Sequence, residues 1–205
     1  MLILILGILT AYLIGSIPTA YIFGAVKGID IRQHGSGNVG ATNVFRVIGR
    51  VPGLTVLAID ILKGFLCVAC VAGFFLRLSP VARPDLYKVF MALAVIAGHN
   101  WTIFLKFKGG KGVATSAGVV IGLIPKIFWL GFLAWSIIFS VTGFVSAASI
   151  VAAVMIPLLA FIFAEPTEII IFMSILCLVI IYKHRPNIKR LLKGEESRIS
   201  LFKRK

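Results

Sequence analysis

Apolar runs long enough to cross a bilayer recur along the whole chain, and they limit the possible folds more than any other feature. Glycine, proline and charged residues separate these runs, which lie near 2–24, 53–76, 87–105, 112–124, 127–142, 144–163 and 168–182. A helix needs about 20 mostly apolar residues to cross hydrocarbon, and only helices and closed barrels satisfy their backbone polar groups there. The pattern predicts an all-α polytopic membrane protein with about seven transmembrane helices.

Composition agrees with this class and leaves little room for a soluble domain. Of 205 residues, 60% are hydrophobic and 14% charged, against roughly 25% charged in soluble domains. We therefore expect a single integral-membrane domain, 1–205, whose function lies in the spans and their loops. The fourth and fifth runs are short and divide at Ile124–Lys126; the alternative is a single bent element.

The excess of positive charge indicates orientation rather than nucleic-acid binding. Sixteen lysines and arginines fall on one side of the seven-span arrangement, in 25–52, 106–111 and 183–205, and four fall on the other. Basic residues accumulate in cytoplasmic loops, so we expect the N-terminus outside and the C-terminus in the cytoplasm. Lys203–Lys205 fit a basic tail on anionic membrane lipid.

A glycine-rich stretch, "GSGNVGATNVFR", follows the first span. Its G-x-G-x-x-G spacing does not indicate a dinucleotide fold, because no strand precedes it and the acidic residue about 20 positions on, Asp60, lies inside a span. Glycines let backbone N–H groups surround an anion, and an arginine on a following helical turn suits phosphate. The stretch predicts a phosphate-binding loop, and the alternative is a plain re-entrant turn. The candidate phosphate-binding residues are Gly35, Ser36, Gly37, Asn38, Gly40, Thr42, Asn43 and Arg46.

A second stretch, "KGGKG", places Lys111 between glycines at the predicted start of a span. Helix N-termini attract anions, which makes Gly109, Gly110, Lys111 and Gly112 candidates for phosphate binding. The stretch is not a P-loop, since neither serine nor threonine follows the lysine. The alternative is that these lysines only flank the membrane.

The third stretch, "KHRPNIKRLLKGEE", carries His184, Asn187, Arg190 and Glu196. His184 has the pKa range of a base at neutral pH, and a helix continuing past Lys183 would place it on one face with Asn187. Pro186 makes a break there an alternative. Seven spans would bring all three stretches to the cytoplasmic face.

Three ionisable residues lie within the predicted spans, where charge is costly. Asp60 and Lys63 are one helical turn apart, and a structural ion pair is at least as good an explanation as catalysis. His99, taken alone, is best explained as a satisfied buried histidine. We treat all three, with Arg190, as support for the site. The sequence has no paired Cys/His metal spacing, so it predicts neither a metal nor a cofactor.

Together the motifs resemble a known family. "SGNVGATNVFR" with "DILKG", "GHNWTIFLKFKGGKGVAT" and "HRPNIKRLLKGEE" resemble, in order and spacing, the three cytoplasmic motifs of the bacterial acyl-phosphate:glycerol-3-phosphate acyltransferases, the PlsY family. The resemblance implies a multi-pass inner-membrane enzyme of phospholipid synthesis. It would transfer an acyl chain from acyl phosphate to the 1-hydroxyl of glycerol 3-phosphate, releasing lysophosphatidic acid and phosphate, with functional coupling to an acyl-phosphate-producing enzyme.

Carried over by motif, the resemblance implies catalytic roles for Ser36, Arg46, Lys111, His184 and Asn187, with Glu196 in the binding site. The base remains open: His184 accepts the hydroxyl proton or only donates a hydrogen bond to glycerol 3-phosphate, or an acyl-phosphate oxygen takes the proton. Ser36 as an acyl-enzyme nucleophile is a minor option. The competing classes are an anion transporter, which would favour midplane binding, and a non-catalytic lipid-binding protein.

Overall fold

The computed structural model describes residues 1–199, so the predicted lipid-binding tail, Lys203–Lys205, lies outside the described part. Within residues 1–199 every regular element is a helix and there is no β-strand, which confirms the all-α class and leaves no strand for a dinucleotide fold. The chain divides into two compact units, Met1–Ile124 and Pro125–Lys205. Each unit is described by itself.

The first unit is built from helices of very different lengths, linked by polar loops. Its α-helices are α1 (Leu2–Ser16), α2 (Thr19–Val26), α3 (Ala41–Val47), α4 (Arg50–Leu66), α5 (Ala72–Leu78), α6 (Pro84–Asn100) and α7 (Val113–Leu123). A π-helical turn, Cys67–Val71, joins α4 to α5, so residues 50–78 form one continuous rod. Single 3-10 turns at Ile31–Gln33 and Ile103–Leu105 lie in the loops.

The first apolar run, predicted as a span near 2–24, contains a break between α1 and α2. Pro18 has no N–H group for a helical hydrogen bond and its ring clashes with the preceding turn. The chain instead turns there, and the Thr19 backbone N–H donates to the Ile17 carbonyl at 3.0 Å. The break leaves Ser16 and Thr19 buried among polar groups of the unit's interior.

Two helix pairs of the first unit approach at glycines. A methyl group on Gly98 of α6 would overlap the Tyr12 carbonyl of α1, and one on Gly118 of α7 would overlap the Ile61 carbonyl of α4. Small residues allow such close backbone contact, which is the usual way helices pack in membranes. These contacts fix α6 and α7, and with them the two ends of the "KGGKG" loop.

The second unit contains α8 (Pro125–Thr142), α9 (Val145–Ile162), α10 (Thr167–Lys183) and α11 (Arg185–Leu192). A break at Ile124 separates the fourth and fifth apolar runs into two helices, α7 and α8. This is the predicted division at Ile124–Lys126. α10 and α11 meet at a bend of 58°, with Pro186 in the first turn of α11, so the predicted alternative of a break after Lys183 is the one observed.

Among residues 1–199, five helical segments are long and apolar enough to cross a membrane, and the bent pair α10–α11 is a sixth candidate. The fourth predicted span corresponds to α7, which has only 11 residues. At 1.5 Å per residue it measures about 16 Å, roughly half of the 30 Å hydrocarbon thickness. Its glycines pack on α4. The helix is bounded by the left-handed Gly112 at one end and by the non-helical Ile124, which precedes Pro125, at the other. The count of seven spans stays a prediction.

Candidate active site

The first glycine-rich loop is folded around the side chain of Asn43. This side chain is fully buried; its Oδ1 accepts from the Ser36 backbone N–H at 2.9 Å, and its Nδ2 donates to the carbonyls of Ile31 and His34 at 3.1 and 3.0 Å. One amide side chain therefore holds three points of the loop backbone. This geometry makes Asn43 the residue that shapes the loop.

Glycine is required at two points of that loop by its backbone conformation. Gly35 and Gly37 have φ angles of +60° and +67°, a region that side chains disfavour. Gly40 caps α3, whose first residue is Ala41. Arg46 lies on this helix, as the sequence predicted.

Arg32, which precedes the loop, is held by a bidentate pair with Asp30. Arg32 donates from Nε and Nη2 to the two carboxylate oxygens of Asp30 at 2.9 and 2.8 Å, and this guanidinium lowers the pKa of Asp30 to about 2. A bidentate pair of this kind fixes the arginine fork in place.

The "KGGKG" loop is paired with the end of α6. The backbone N–H groups of Gly109 and Gly110 donate to the carbonyls of Asn100 and His99 at 3.2 and 3.0 Å. Gly112, with φ +81°, caps α7. Lys111 thus lies directly before the N-cap of a helix, as predicted, where the N–H groups of the first turn and the helix dipole favour an anion.

Both glycine-rich loops border one small cavity of the first unit. Its volume is about 10 Å³, enough for roughly one water molecule. Its lining includes Val39 of the first loop, Gly109 and Gly110 of the second, and the buried ionisable side chains Asp60 and His99. The folding of the unit therefore brings together two motifs that are about 70 residues apart in the sequence.

Gly110 offers a sharp test of this junction. A methyl group there would overlap the His99 ring and lie 2.9 Å from the Val39 carbonyl, so we expect Gly110→Ala to displace the loop and reduce kcat/KM by about 100-fold, as small misplacements in active sites do. Gly73→Ala is the matched control, because nothing lies within 4 Å of its added methyl group. Equal activity of the two purified variants would contradict the proposed role of the junction.

In the second unit, His184 lies at the bend between α10 and α11 and is buried. Its Nδ1 is 2.8 Å from the Ile180 carbonyl. A carbonyl oxygen can only accept, so Nδ1 carries a proton, and in the neutral ring the lone pair is then on Nε2. The ring is thus held in the tautomer whose Nε2 is able to accept a proton.

Asn187 and Glu196 form a second polar cluster in this unit. Glu196 Oε1 accepts from Asn187 Nδ2 at 2.6 Å and from Ser146 Oγ at 2.8 Å, while Oε2 accepts from Arg190 Nε at 2.7 Å. Burial by itself raises the pKa of Glu196, but the hydrogen bonds from Asn187, Ser146 and Arg190 outweigh it, so the pKa lies below its ordinary value. Both carboxylate oxygens are therefore occupied by protein donors.

The family model for glycerol-3-phosphate acyltransferases matches residues 5–194. A glycerol-3-phosphate acyltransferase from Endomicrobium trichonymphae is 46% identical over 208 residues, covering 100% of each protein. Glycerol-3-phosphate acyltransferase 2 from Moorella thermoacetica is 44% identical over 196 residues, covering 95% of this chain and 97% of its own length. The chain belongs to the glycerol-3-phosphate acyltransferase family.

Solved structures agree with this family membership. A crystal structure of PlsY, an integral membrane glycerol 3-phosphate acyltransferase, in its glycerol 3-phosphate form has a TM-score of 0.89 at 38% identity, with 96% of each chain covered. The lysophosphatidic acid form of PlsY has a TM-score of 0.85 at 38% identity, covering 96% of this chain and 95% of that one. The family that the three motifs predicted is confirmed.

The predicted site residues of this acyltransferase-family chain fall into two groups. The first unit contains both glycine-rich loops with Ser36, Asn38, Thr42, Arg46 and Lys111, and also Asp60, Lys63 and His99. The second unit contains His184, Asn187, Arg190 and Glu196. Among residues 1–199, no group of three or more His, Cys, Asp or Glu side chains is placed to hold a metal ion.

Sequence reasoning missed three residues that the structure places in these clusters. Thr19 Oγ1 donates to Asp60 at 3.2 Å, Asn100 faces the position where Gly112 lacks a side chain, and Ser146 supports Glu196. Thr19 was signalled by the polar break "SIPT" within the first apolar run, and Asn100 by its place beside His99 in "GHNW". Nothing in the sequence near Ser146 singles it out.

Proposed function

We propose that this chain transfers an acyl group from acyl phosphate to the 1-hydroxyl of glycerol 3-phosphate, giving lysophosphatidic acid and phosphate. One observation carries the proposal: two glycine-rich loops, each with a cation of its own on or beside a short helix, border the same cavity in the first unit. A reaction whose two substrates both carry phosphate needs two such anion sites. Relatives that match 95% and 100% of the chain are glycerol-3-phosphate acyltransferases, which supports the acceptor in this reaction.

In the proposed reaction, the hydroxyl oxygen attacks the acyl carbonyl carbon. The bond from that carbon to the phosphate oxygen breaks, and phosphate leaves with the electron pair. We assign Arg46 and Lys111 to the two phosphates and to the negative charge that develops on the leaving group. Acyl phosphate is already an activated anhydride, so the protein supplies mainly position and charge.

The remaining site residues take supporting roles in this proposal. Ser36 and the backbone of Gly35 and Gly40 bind phosphate, helped by Asn38 and Thr42. Gly37 supplies the turn, since its N–H donates to the His34 carbonyl at 3.0 Å, and Asn43 shapes the loop from inside. Gly109, Gly110 and Gly112 allow the second loop its close backbone approach. Glu196 orients Asn187 instead of touching an anionic substrate, because its two oxygens are occupied and its charge would repel phosphate.

His184→Ala tests how the hydroxyl proton is removed. We expect kcat/KM to fall by about 100-fold, at the lower end of what general-base catalysis contributes. If His184 is the base, the variant also loses the acidic limb of the pH–rate profile. An unchanged profile with a raised KM assigns the proton to an acyl-phosphate oxygen and leaves His184 as a hydrogen-bond donor. An acyl-enzyme trapped on Ser36 would contradict both routes.

We further propose that the chain is a single acyltransferase domain of the bacterial inner membrane, with seven spans and its motif loops in the cytoplasm. Single cysteines at Ala82 and Lys108, which are both exposed, test this in a variant without the three native cysteines. We expect an impermeant thiol reagent to label Ala82→Cys in intact spheroplasts and Lys108→Cys only after permeabilisation. The reverse pattern would contradict the proposed orientation.

The reaction itself is tested with protein purified in detergent. Acyl phosphate and glycerol 3-phosphate are supplied, and phosphate and lysophosphatidic acid are measured together. We expect phosphate release that requires glycerol 3-phosphate and matches lysophosphatidic acid mole for mole, with no product from acyl-CoA or acyl carrier protein. Folded protein that released no phosphate would contradict the proposal and return transport to consideration.

Coupling to an acyl-phosphate-producing enzyme is tested by adding that enzyme in place of the donor.

A further inference from the structure

Three ionisable side chains meet in the interior of the first unit. Asp60 and Lys63 lie one turn apart on α4, and His99 lies near the end of α6; their exposed fractions are 2%, 6% and 9%. Lys63 Nζ is 2.8 Å from Asp60 Oδ1 and also 2.8 Å from His99 Nδ1. Such a buried cluster is costly unless each charge and each hydrogen-bonding group finds a partner.

The contacts of Lys63 determine where His99 carries its proton. An ammonium group has three N–H donors and no acceptor, and Lys63 Nζ has three acceptors around it: Asp60 Oδ1, His99 Nδ1 and, at 3.4 Å, the Ile17 carbonyl. His99 Nδ1 must therefore accept. In the neutral ring, the proton is then on Nε2.

The distances exclude Asp60 as the direct partner of the His99 ring. Asp60 Oδ1 is 3.7 Å from His99 Nδ1, beyond the roughly 3.2 Å limit of a good hydrogen bond. Asp60 instead accepts from Lys63 and from Thr19 Oγ1. Its contact with Lys63 holds Nζ at 2.8 Å from the His99 ring.

The opposite edge of the His99 ring faces the glycine-rich loops. A methyl group on Gly110 would overlap Nε2, and the same methyl group would lie 2.9 Å from the Val39 carbonyl. The Gly110 backbone N–H also donates to the His99 carbonyl at 3.0 Å. The Nε2–H therefore lies where the two loops meet, next to Lys111 in the sequence.

We propose that Lys63, held by Asp60, fixes the proton of His99 on Nε2, and that this N–H positions the junction of the two loops so that Lys111 is correctly placed. Asp60, Lys63 and His99 are then positioning residues, which act on the substrates through the loops. A purely structural ion pair would need only Asp60 and Lys63. In this cluster, Lys63 also contacts His99 and specifies its tautomer. The inference rests on the proposed acyl transfer.

The first test observes the tautomer directly and needs no activity. The chain has only three histidines, so in histidine-labelled protein the ¹⁵N signals of His99 are those lost in His99→Asn. We expect the proton on Nε2 in the wild type. In the double variant Asp60→Asn/Lys63→Met, which removes both charges together, we expect it to be shared between both nitrogens. A wild-type proton on Nδ1, or on both nitrogens, would overturn the proposal.

The second test compares two amides at position 99. The amide of His99→Gln places an N–H near the position of Nε2, whereas His99→Asn places its amide near Nδ1 and keeps an acceptor for Lys63. We expect kcat/KM to fall by about 100-fold in His99→Asn and by only about 10-fold in His99→Gln. A purely structural role would lower the melting temperatures of both alike without separating their activities.

The outcomes separate this inference from the function on which it rests. A wild type that forms no lysophosphatidic acid contradicts the proposed function, whatever the tautomer of His99. An active wild type whose two amide variants have equal kcat/KM values overturns the positioning role alone. If neither variant folds, a wild-type proton found on Nδ1 of His99 still overturns the inference.

Discussion

Replacing Lys111 by alanine is expected to reduce kcat/KM by about 100- to 1000-fold, the usual cost of removing one group that stabilises transition-state charge. Lys111 directly precedes the N-terminus of α7, where its ammonium adds to the helix dipole on the same anion. Phosphate gains charge as it leaves the acyl carbon, so the loss falls mainly on kcat. Initial rates of phosphate release over a range of both substrates measure it.

Lys108→Ala is the matched control for this variant. Lys108 lies three residues earlier in the same loop and its side chain is exposed, so its charge is screened by solvent and salt. We expect its rate to stay within about threefold of the wild type, since an exposed charge contributes less than about 1 kcal/mol. A Lys111→Ala variant with the kcat of the wild type and only a raised KM would contradict a transition-state role.

The membrane class, the three motifs and the family were predictable from sequence because each depends on local pattern. Apolar runs separated by glycine and proline indicate spans directly, and three long motifs in one order leave few families to consider. The sequence also predicted that α3 would carry Arg46 and that Lys111 would precede a helix. In both cases the signal is a glycine next to an apolar helical segment, which needs no tertiary contact to be recognised.

The parts that depend on contacts between distant residues were not predictable. Nothing local shows that Asn43 folds its own loop, or that Ser146 supports Glu196 50 residues away. The break at Pro18 was visible in the sequence, but its consequence, a buried hydroxyl beside Asp60, depends on how α2 packs on α4. The short length of the fourth run was visible in the sequence too, but the close contact of Gly118 with Ile61 of α4 was not.

The two buried histidines show why residue type alone did not assign roles. His184 donates from Nδ1 to a backbone carbonyl, which leaves Nε2 able to accept a proton. His99 accepts at Nδ1 from Lys63, which places its proton on Nε2 and makes that nitrogen a donor. The partner of Nδ1 therefore decides whether Nε2 of a histidine accepts or donates a proton.

The second large effect is expected on stability, from Glu196→Gln. Glutamine keeps the volume but loses the charge, and its amide N–H group would face donors from Ser146, Asn187 or Arg190. Removing one partner of a buried charged network costs about 3–5 kcal/mol; because Arg190 is 34% exposed, we expect about 2–3 kcal/mol. Thermal unfolding in detergent measures it, and Glu195→Gln, at an exposed neighbour, is the control.

The pH dependence of this difference identifies its cause. The pKa of Glu196 is lowered from its ordinary value of 4.5, so the folded state releases the proton more readily than the unfolded state. The stabilisation is therefore complete at neutral pH, begins to decline as the pH falls below the ordinary value, and is lost as the pH falls through the lower folded-state pKa. We expect the wild type and Glu196→Gln to converge in melting temperature over that acidic range. A constant difference would show that shape, and not the carboxylate charge, is what Ser146, Asn187 and Arg190 require.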